Sequence, residues 1–140
     1  MKTQQRTVVV GVAGSPASRA ALHWAMDLAS AQGFHVAAVA VQRRIPAFMP
    51  ASSMALHPYG SPPQPTQAAR AEQLHSIVGK HNDNVSEHLL SGEPARELTR
   101  MAGPGDLLVI GRGGLLSGVT MACVRHARCP VVVVLAGKKE

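Results

Sequence analysis

The sequence predicts an α/β protein: a three-layer, Rossmann-like fold with a five-stranded parallel sheet between helices. Three observations carry that expectation. Valine-rich runs alternate with segments of helical apolar spacing along the whole chain. The runs are apolar at consecutive positions, as in strands covered on both faces. Five strands cannot close an eight-stranded barrel, which leaves an open, doubly wound sheet with right-handed crossovers.

Thr7–Val12 is the first strand, a continuous apolar run. Ser15 suits a helix N-cap and Pro16 the first helical position. The helix that follows carries Ala21, Trp24, Ala25, Leu28 and Ala31 as its expected inward face, and Gly33 is placed to end it. Phe34–Val41 reads as a second buried strand. From Arg43 to Gln67 there are six prolines (Pro46, Pro50, Pro58, Pro62, Pro63 and Pro65), which excludes regular structure and predicts a long surface loop. Ala68–Lys80 returns to a helix with Ala71, Leu74 and Val78 inward. Asn82–Asn84 makes a turn, and Val85–Leu90 is a more polar strand, expected at a sheet edge. Pro94 opens a helix whose Leu98, Met101 and Ala102 face in, and Gly103-Pro104-Gly105 stops it. Asp106–Gly111 is the fourth strand, Val119–Ala127 the last helix, Pro130–Leu135 the last strand, and 137–140 a solvated tail.

The length of 140 residues fits one domain over 1–140, with the Pro-rich loop over 43–67. Hydrophobic residues make up 46% and charged residues 16%, so disorder is not expected for most of the chain. No apolar run reaches the roughly 20 residues of a membrane-spanning helix. No apolar stretch of signal-peptide length precedes Gly11. A cytoplasmic protein with no membrane partner is the expectation. The net charge of +6 raises nucleic acid as a partner, but 3% aromatics are too few for stacking platforms. The basic residues are also scattered, so no nucleic-acid partner is expected.

Cys123 and Cys129 are too few for a disulfide scaffold, and their spacing is that of neither a redox pair nor a zinc knuckle. Both read as buried thiols. The seven histidines never fall in a close pair at metal-ligand spacing. Cys123 and His126 could form a dyad, but nothing in the segment orients the imidazole. No G-x-S-x-G, H-E-x-x-H, G-x-G-x-x-G or Walker A motif occurs. No catalytic residues and no metal site are expected.

Two strand ends carry chemistry suited to a ligand. Gly11-Val-Ala-Gly-Ser-Pro16 and Gly111-Arg-Gly-Gly-Leu-Leu-Ser-Gly118 each lead into a helix N-terminus, where free N–H groups and the macrodipole favour an anion. Glycines let the backbone approach a phosphate. The competing reading is that they only make tight strand-to-helix turns. From Gly111 to Cys129 there are three arginines and no acid, and Arg112 lies inside the loop itself.

These loops, in this order, resemble those of the universal stress protein family. The resemblance covers nearly the whole chain: the opening strand through Pro16, Gly92-Glu-Pro-Ala-Arg-Glu-Leu98, Asp106–Gly111, and Val124-Arg-His-Ala-Arg-Cys-Pro-Val-Val-Val-Val134. It implies an adenine nucleotide alpha hydrolase-like sheet in the order 3-2-1-4-5, with strands one and four flanking the switch point. Many members bind ATP or a related adenine nucleotide through Gly-x-x-Gly, a longer stretch, then Gly-Ser/Thr. Gly111-Arg-Gly-Gly114 matches the first part; Ser117 and Gly118 fall at the second. Only Leu115 and Leu116 separate Gly114 from Ser117, so most of the phosphate loop is missing. Ala13 stands where ATP-binding members carry an acid that contacts the nucleoside end, and Val41 matches a backbone position that meets the adenine.

The resemblance implies binding residues Ala13, Val41, Gly111, Arg112, Gly114, Ser117 and Gly118, in a divergent member with a degenerate motif. The expected function is a non-enzymatic stress-response regulatory or interaction protein with weak or absent ATP binding. The alternative is a stress protein that binds ATP or AMP through Gly111–Gly118; slow nucleotide hydrolysis is a third reading. Pro130–Leu135 is an uncharged apolar edge in that strand order, and a homodimer joined through it is expected.

Overall fold

The computed structural model describes residues 6–43, 66–79, 84–112 and 118–135. Strands β1 (Thr7–Gly11), β2 (His35–Gln42), β3 (Val85–Ser91), β4 (Leu107–Gly111) and β5 (Val131–Val134) form one sheet in the order β3-β2-β1-β4-β5. Every adjacent pair is parallel. Helices α1 (Pro16–Gln32), α2 (Gln67–Val78), α3 (Pro94–Met101) and α4 (Gly118–His126) fill the connections. The expected order and alternation are therefore those observed. The first strand ends at Gly11 and the last spans Val131–Val134, each slightly shorter than the apolar run that signals it.

The sheet has a core on each face. Val8, Val10, Val36, Ala38 and Val109 pack with Ala21, Leu22 and Ala25 of α1 and Leu74 and Val78 of α2. Val9, Ala37, Val39, Leu108 and Ile110 pack with Leu98 of α3 and Cys123 of α4. Consecutive valines of β1 thus serve opposite cores, which is why the strand is apolar at every position. The edge strand β3 is half-buried nearly throughout and keeps polar residues, as expected.

Ser15 caps α1: its hydroxyl accepts from the Ser18 N–H at 3.2 Å. Gly33 takes the left-handed conformation, φ 74°, and its N–H bonds to the Ala29 carbonyl at 2.7 Å. The buried face of α1 is Ala17, Ser18, Ala21, Leu22, Ala25 and Ala29. This corrects two expectations: Trp24 is 40% exposed and Ala31 is exposed. The helix lies so close to β4 that small side chains face the sheet. Ala71 of α2 is likewise exposed, while Leu74 and Val78 are buried. Most of the Pro-rich loop, Asn82 and Asp83 of the expected turn, and the tail from 137 lie outside the described residues.

Candidate functional site

The carboxyl ends of β1, β2 and β4 meet at the switch point, where the chain leaves β1 for one neighbour and β4 for the other. After β1, the Val12 N–H donates to the Val39 carbonyl at 2.8 Å, holding the segment to the end of β2. The chain then turns into α1 through Gly14, at φ 80°. Ser18 fixes this turn from inside the helix. Its hydroxyl donates to the Ser15 carbonyl at 3.1 Å and accepts from the Ala13 N–H at 3.2 Å.

A cleft of about 240 Å³ opens here. It is lined by Gly11–Ala13, Ser15 and Ser18, by Val39 and Val41 of β2 and Arg43 just past it, by Pro94 and Leu98 of α3, by Ile110 and Gly111, and by Val119 and Thr120 in the first turn of α4. Its volume is just under the roughly 300–1,000 Å³ of small-molecule pockets. Among these residues Arg43 alone is charged, and its Nη1 lies 3.5 Å from Glu93 Oε1 in an exposed pair. Such a pair is worth at most about 1 kcal/mol. No Asp, Glu, His, Cys or Lys is among the lining residues.

A second cleft, of about 170 Å³, lies toward α2. Val12, Ala13 and Val41 line both clefts. Arg70, Gln73, Leu74 and Ile77 of α2 close the second, with Ala40 and Leu89 beneath.

Of the sequence-predicted site residues, Ala13, Val41 and Gly111 come together at the first cleft. Gly118 is the exposed first residue of α4, one position before the lining. Arg112 is half-buried just past β4, outside the lining, with its N–H bonded to the Val134 carbonyl at 2.9 Å. Gly114 and Ser117 lie outside the described residues. Gly111 has a structural reason to be glycine. A Cβ there would overlap the Ala17 carbonyl and lie 2.6 Å from the Ser18 nitrogen, so α1 demands the missing side chain.

Leu98, Pro94, Thr120 and Ser18 are lining residues that sequence reasoning did not single out as such. Pro94 and Leu98 were legible only as helix punctuation and core. Arg70 of the second cleft was not singled out either.

A separate polar cluster also escaped the sequence. His35 Nε2 lies 2.9 Å from Ser86 Oγ, which lies 2.8 Å from His88 Nε2. The single hydroxyl proton requires opposite roles: Ser86 donates to one neutral ring and accepts from the other. Burial, and then the charge of His35, push the His88 imidazole below its ordinary value. Between α2 and β3, His75 Nδ1 pairs with Glu87 Oε2 at 2.9 Å. No group of three metal-ligating side chains occurs among the described residues. Cys123 is buried and Cys129 half-buried, both as free thiols. Burial raises the pKa of each, and Asp106 raises that of Cys129 further, so both are poor nucleophiles.

Comparison with known proteins agrees with this architecture. The universal stress protein family model matches residues 5–134. A universal stress protein of Mycobacterium bovis is 31% identical over 93% of this chain; the chain spans 45% of that relative's length. Among solved structures, UspA of Lactobacillus plantarum is similar at a TM-score of 0.65 and 19% identity, over 95% of this chain and 99% of that one. A universal stress protein in complex with cAMP is similar at a TM-score of 0.61 and 23% identity, over 96% and 100% of the two chains. No helix among the described residues is long and apolar enough to cross a membrane. With the family model spanning nearly the whole chain and the sheet order matching, this chain belongs to the universal stress protein family.

Proposed function

We propose that this chain is a stress-response regulatory protein that binds an adenine nucleotide with modest affinity in the cleft at the switch point. It performs no reaction on that nucleotide. It works in the cytoplasm as a homodimer joined through the Pro130–Leu135 edge. The observation that carries this reading is the meeting of Ala13, Val41 and Gly111 with the first turn of α4 around one concave, acid-free cleft. A similar fold in complex with cAMP supports the nucleotide class. The lining offers backbone N–H groups and hydroxyls to a ligand but no general base, which supports binding without chemistry. The two free thiols fit a reducing compartment.

ATP is a poor ligand on this reading. The stretch between Gly114 and Ser117 is two residues, so few backbone donors are left for a triphosphate, and Ala13 offers no carboxylate to ribose. A lost charge-assisted hydrogen bond costs about 1.5–3 kcal/mol. Calorimetry should give a Kd for ATP weaker than about 10 μM, or roughly −7 kcal/mol. Tighter binding refutes the weak-ATP reading.

One observation favours a second reading, a ligand-free interaction module: the contact with Ala17 already explains Gly111 as a packing glycine. Heating the protein with and without millimolar AMP or cAMP separates the two. A ligand at 100 times its Kd adds about 2.7 kcal/mol and raises the melting temperature. No shift with either nucleotide selects the ligand-free module.

A further inference from the structure

The two clefts meet over Val12, Ala13 and Val41, and Ala13 puts only a methyl group where they join. Together their lining carries two charges, Arg43 and Arg70, and no acid. Arg43 already faces Glu93 at 3.5 Å. Arg70 makes no ion pair with a described residue, and its Nε is buried with no hydrogen-bond partner. The other such buried donor among the described residues is Arg112 Nε, just past β4. Because the sheet is parallel, both arginines stand at its carboxyl end, Arg70 beyond the β1–β2 side of the first cleft and Arg112 beyond the β4 side. The Arg70 Nε itself has no accessible surface, so it is the rest of the guanidinium, the one cation lining the second cleft, that meets an anion there.

We infer that the ligand carries two separate anionic groups: an adenine nucleotide with a second phosphate on its ribose, which passes over Ala13 into the second cleft and is bound by Arg70. This rests on the nucleotide reading above. The 5′-phosphate lies on the β4 side, toward Gly111 and the start of α4. The ribose phosphate takes the Arg70 guanidinium, whose planar fork matches phosphate oxygens. Gln73, on the same helix, lines the same cleft and offers a neutral amide donor. A carboxylate at position 13 would repel such a ligand; the alanine admits it.

The test is calorimetry on the full chain with AMP, adenosine 3′,5′-bisphosphate and adenosine 2′,5′-bisphosphate. One of the bisphosphates is expected to bind at least about tenfold more tightly than AMP, equivalent to about 1.4 kcal/mol; which one assigns the ribose oxygen. In Arg70→Gln that ratio collapses toward one, and in Arg70→Lys, which keeps the charge and loses the fork, it falls part of the way. Ala13→Asp lowers the bisphosphate affinity more than that of AMP and gives a second reading if an Arg70 variant does not fold. AMP binding as tight as either bisphosphate overturns the inference and leaves the nucleotide site standing. A preference that survives in Arg70→Gln overturns it too, because the second anion is then held elsewhere. Binding of none of the three at millimolar concentration overturns both the inference and the nucleotide reading.

Discussion

A Cβ on Gly111 would collide with the backbone of Ala17, at the start of the helix that covers β4. Backbone cannot step aside as a flexible side chain can. Gly111→Ala should therefore lower stability by about 1–3 kcal/mol, the usual cost of overpacking, read as a lower urea midpoint. An unchanged midpoint would mean that α1 does not press on β4 as described. His88 makes a different prediction. Burial and the charge of His35 hold its pKa below the ordinary value of about 6.5. The folded state thus binds this proton less readily than the unfolded chain. Its contribution is fully present above about pH 6.5 and is lost as the pH falls through the depressed value. His88→Gln should flatten that acid-side decline in the urea midpoint; an identical pH profile in the variant would remove His88 as its source. Neither point was legible in the sequence. Gly111 reads as a phosphate-loop glycine until the position of α1 is known. His35 and Ser86 are 51 residues apart and meet only through the parallel register of β2 on β3.

Element existence and order were legible because each strand signals itself by composition, and the first and third helices by a cap or an opening proline. Ser15-Pro16 and Gly33 bracket α1 as they do in the sequence reading. The helix face was less legible. Trp24 has the largest side chain of the expected stripe, yet it is 40% exposed, and the buried stripe is mostly alanine. Helical spacing alone does not say how close the sheet will come. Here α1 packs near enough to Gly111 that only small residues fit beneath it. The cap serves the site as well as the helix, since Ser15 and Ser18 together set the turn that carries Ala13. Ser15→Ala should cost about 1 kcal/mol of stability, and Ser15→Asp, which restores an acceptor, should recover most of it. Equal urea midpoints for the alanine variant and the unmodified protein would show that the cap contributes nothing. The site itself was half legible: Ala13, Val41 and Gly111 converge, whereas Arg70 enters from a helix that the Pro-rich segment separates from β2.

The two edges of the sheet are unlike. β3 carries Ser86, Glu87, His88 and Ser91, and such polar edges resist pairing with another chain. β5 has four half-buried valines followed by Leu135, 57% exposed, and no charge from Pro130 to Leu135. The proposed homodimer covers this edge by antiparallel pairing of β5 with β5 across a two-fold axis. The register says which residue decides it. The Pro130 and Val134 carbonyls accept from Leu108 of β4 and from Arg112 just past it, at 3.0 and 2.9 Å. Hydrogen-bonding direction alternates along a strand, so Val132 also turns its backbone to β4, and Val131 and Val133 turn theirs outward. Val133→Pro removes an outward donor and should yield a folded monomer. Val132→Pro removes an inward donor and should lower stability instead. Light scattering at about 100 μM reads the first effect, since assembly follows concentration by mass action. A folded, unmodified protein that is monomeric there would exclude this interface. A dimer that survives Val133→Pro would put the contact on another surface.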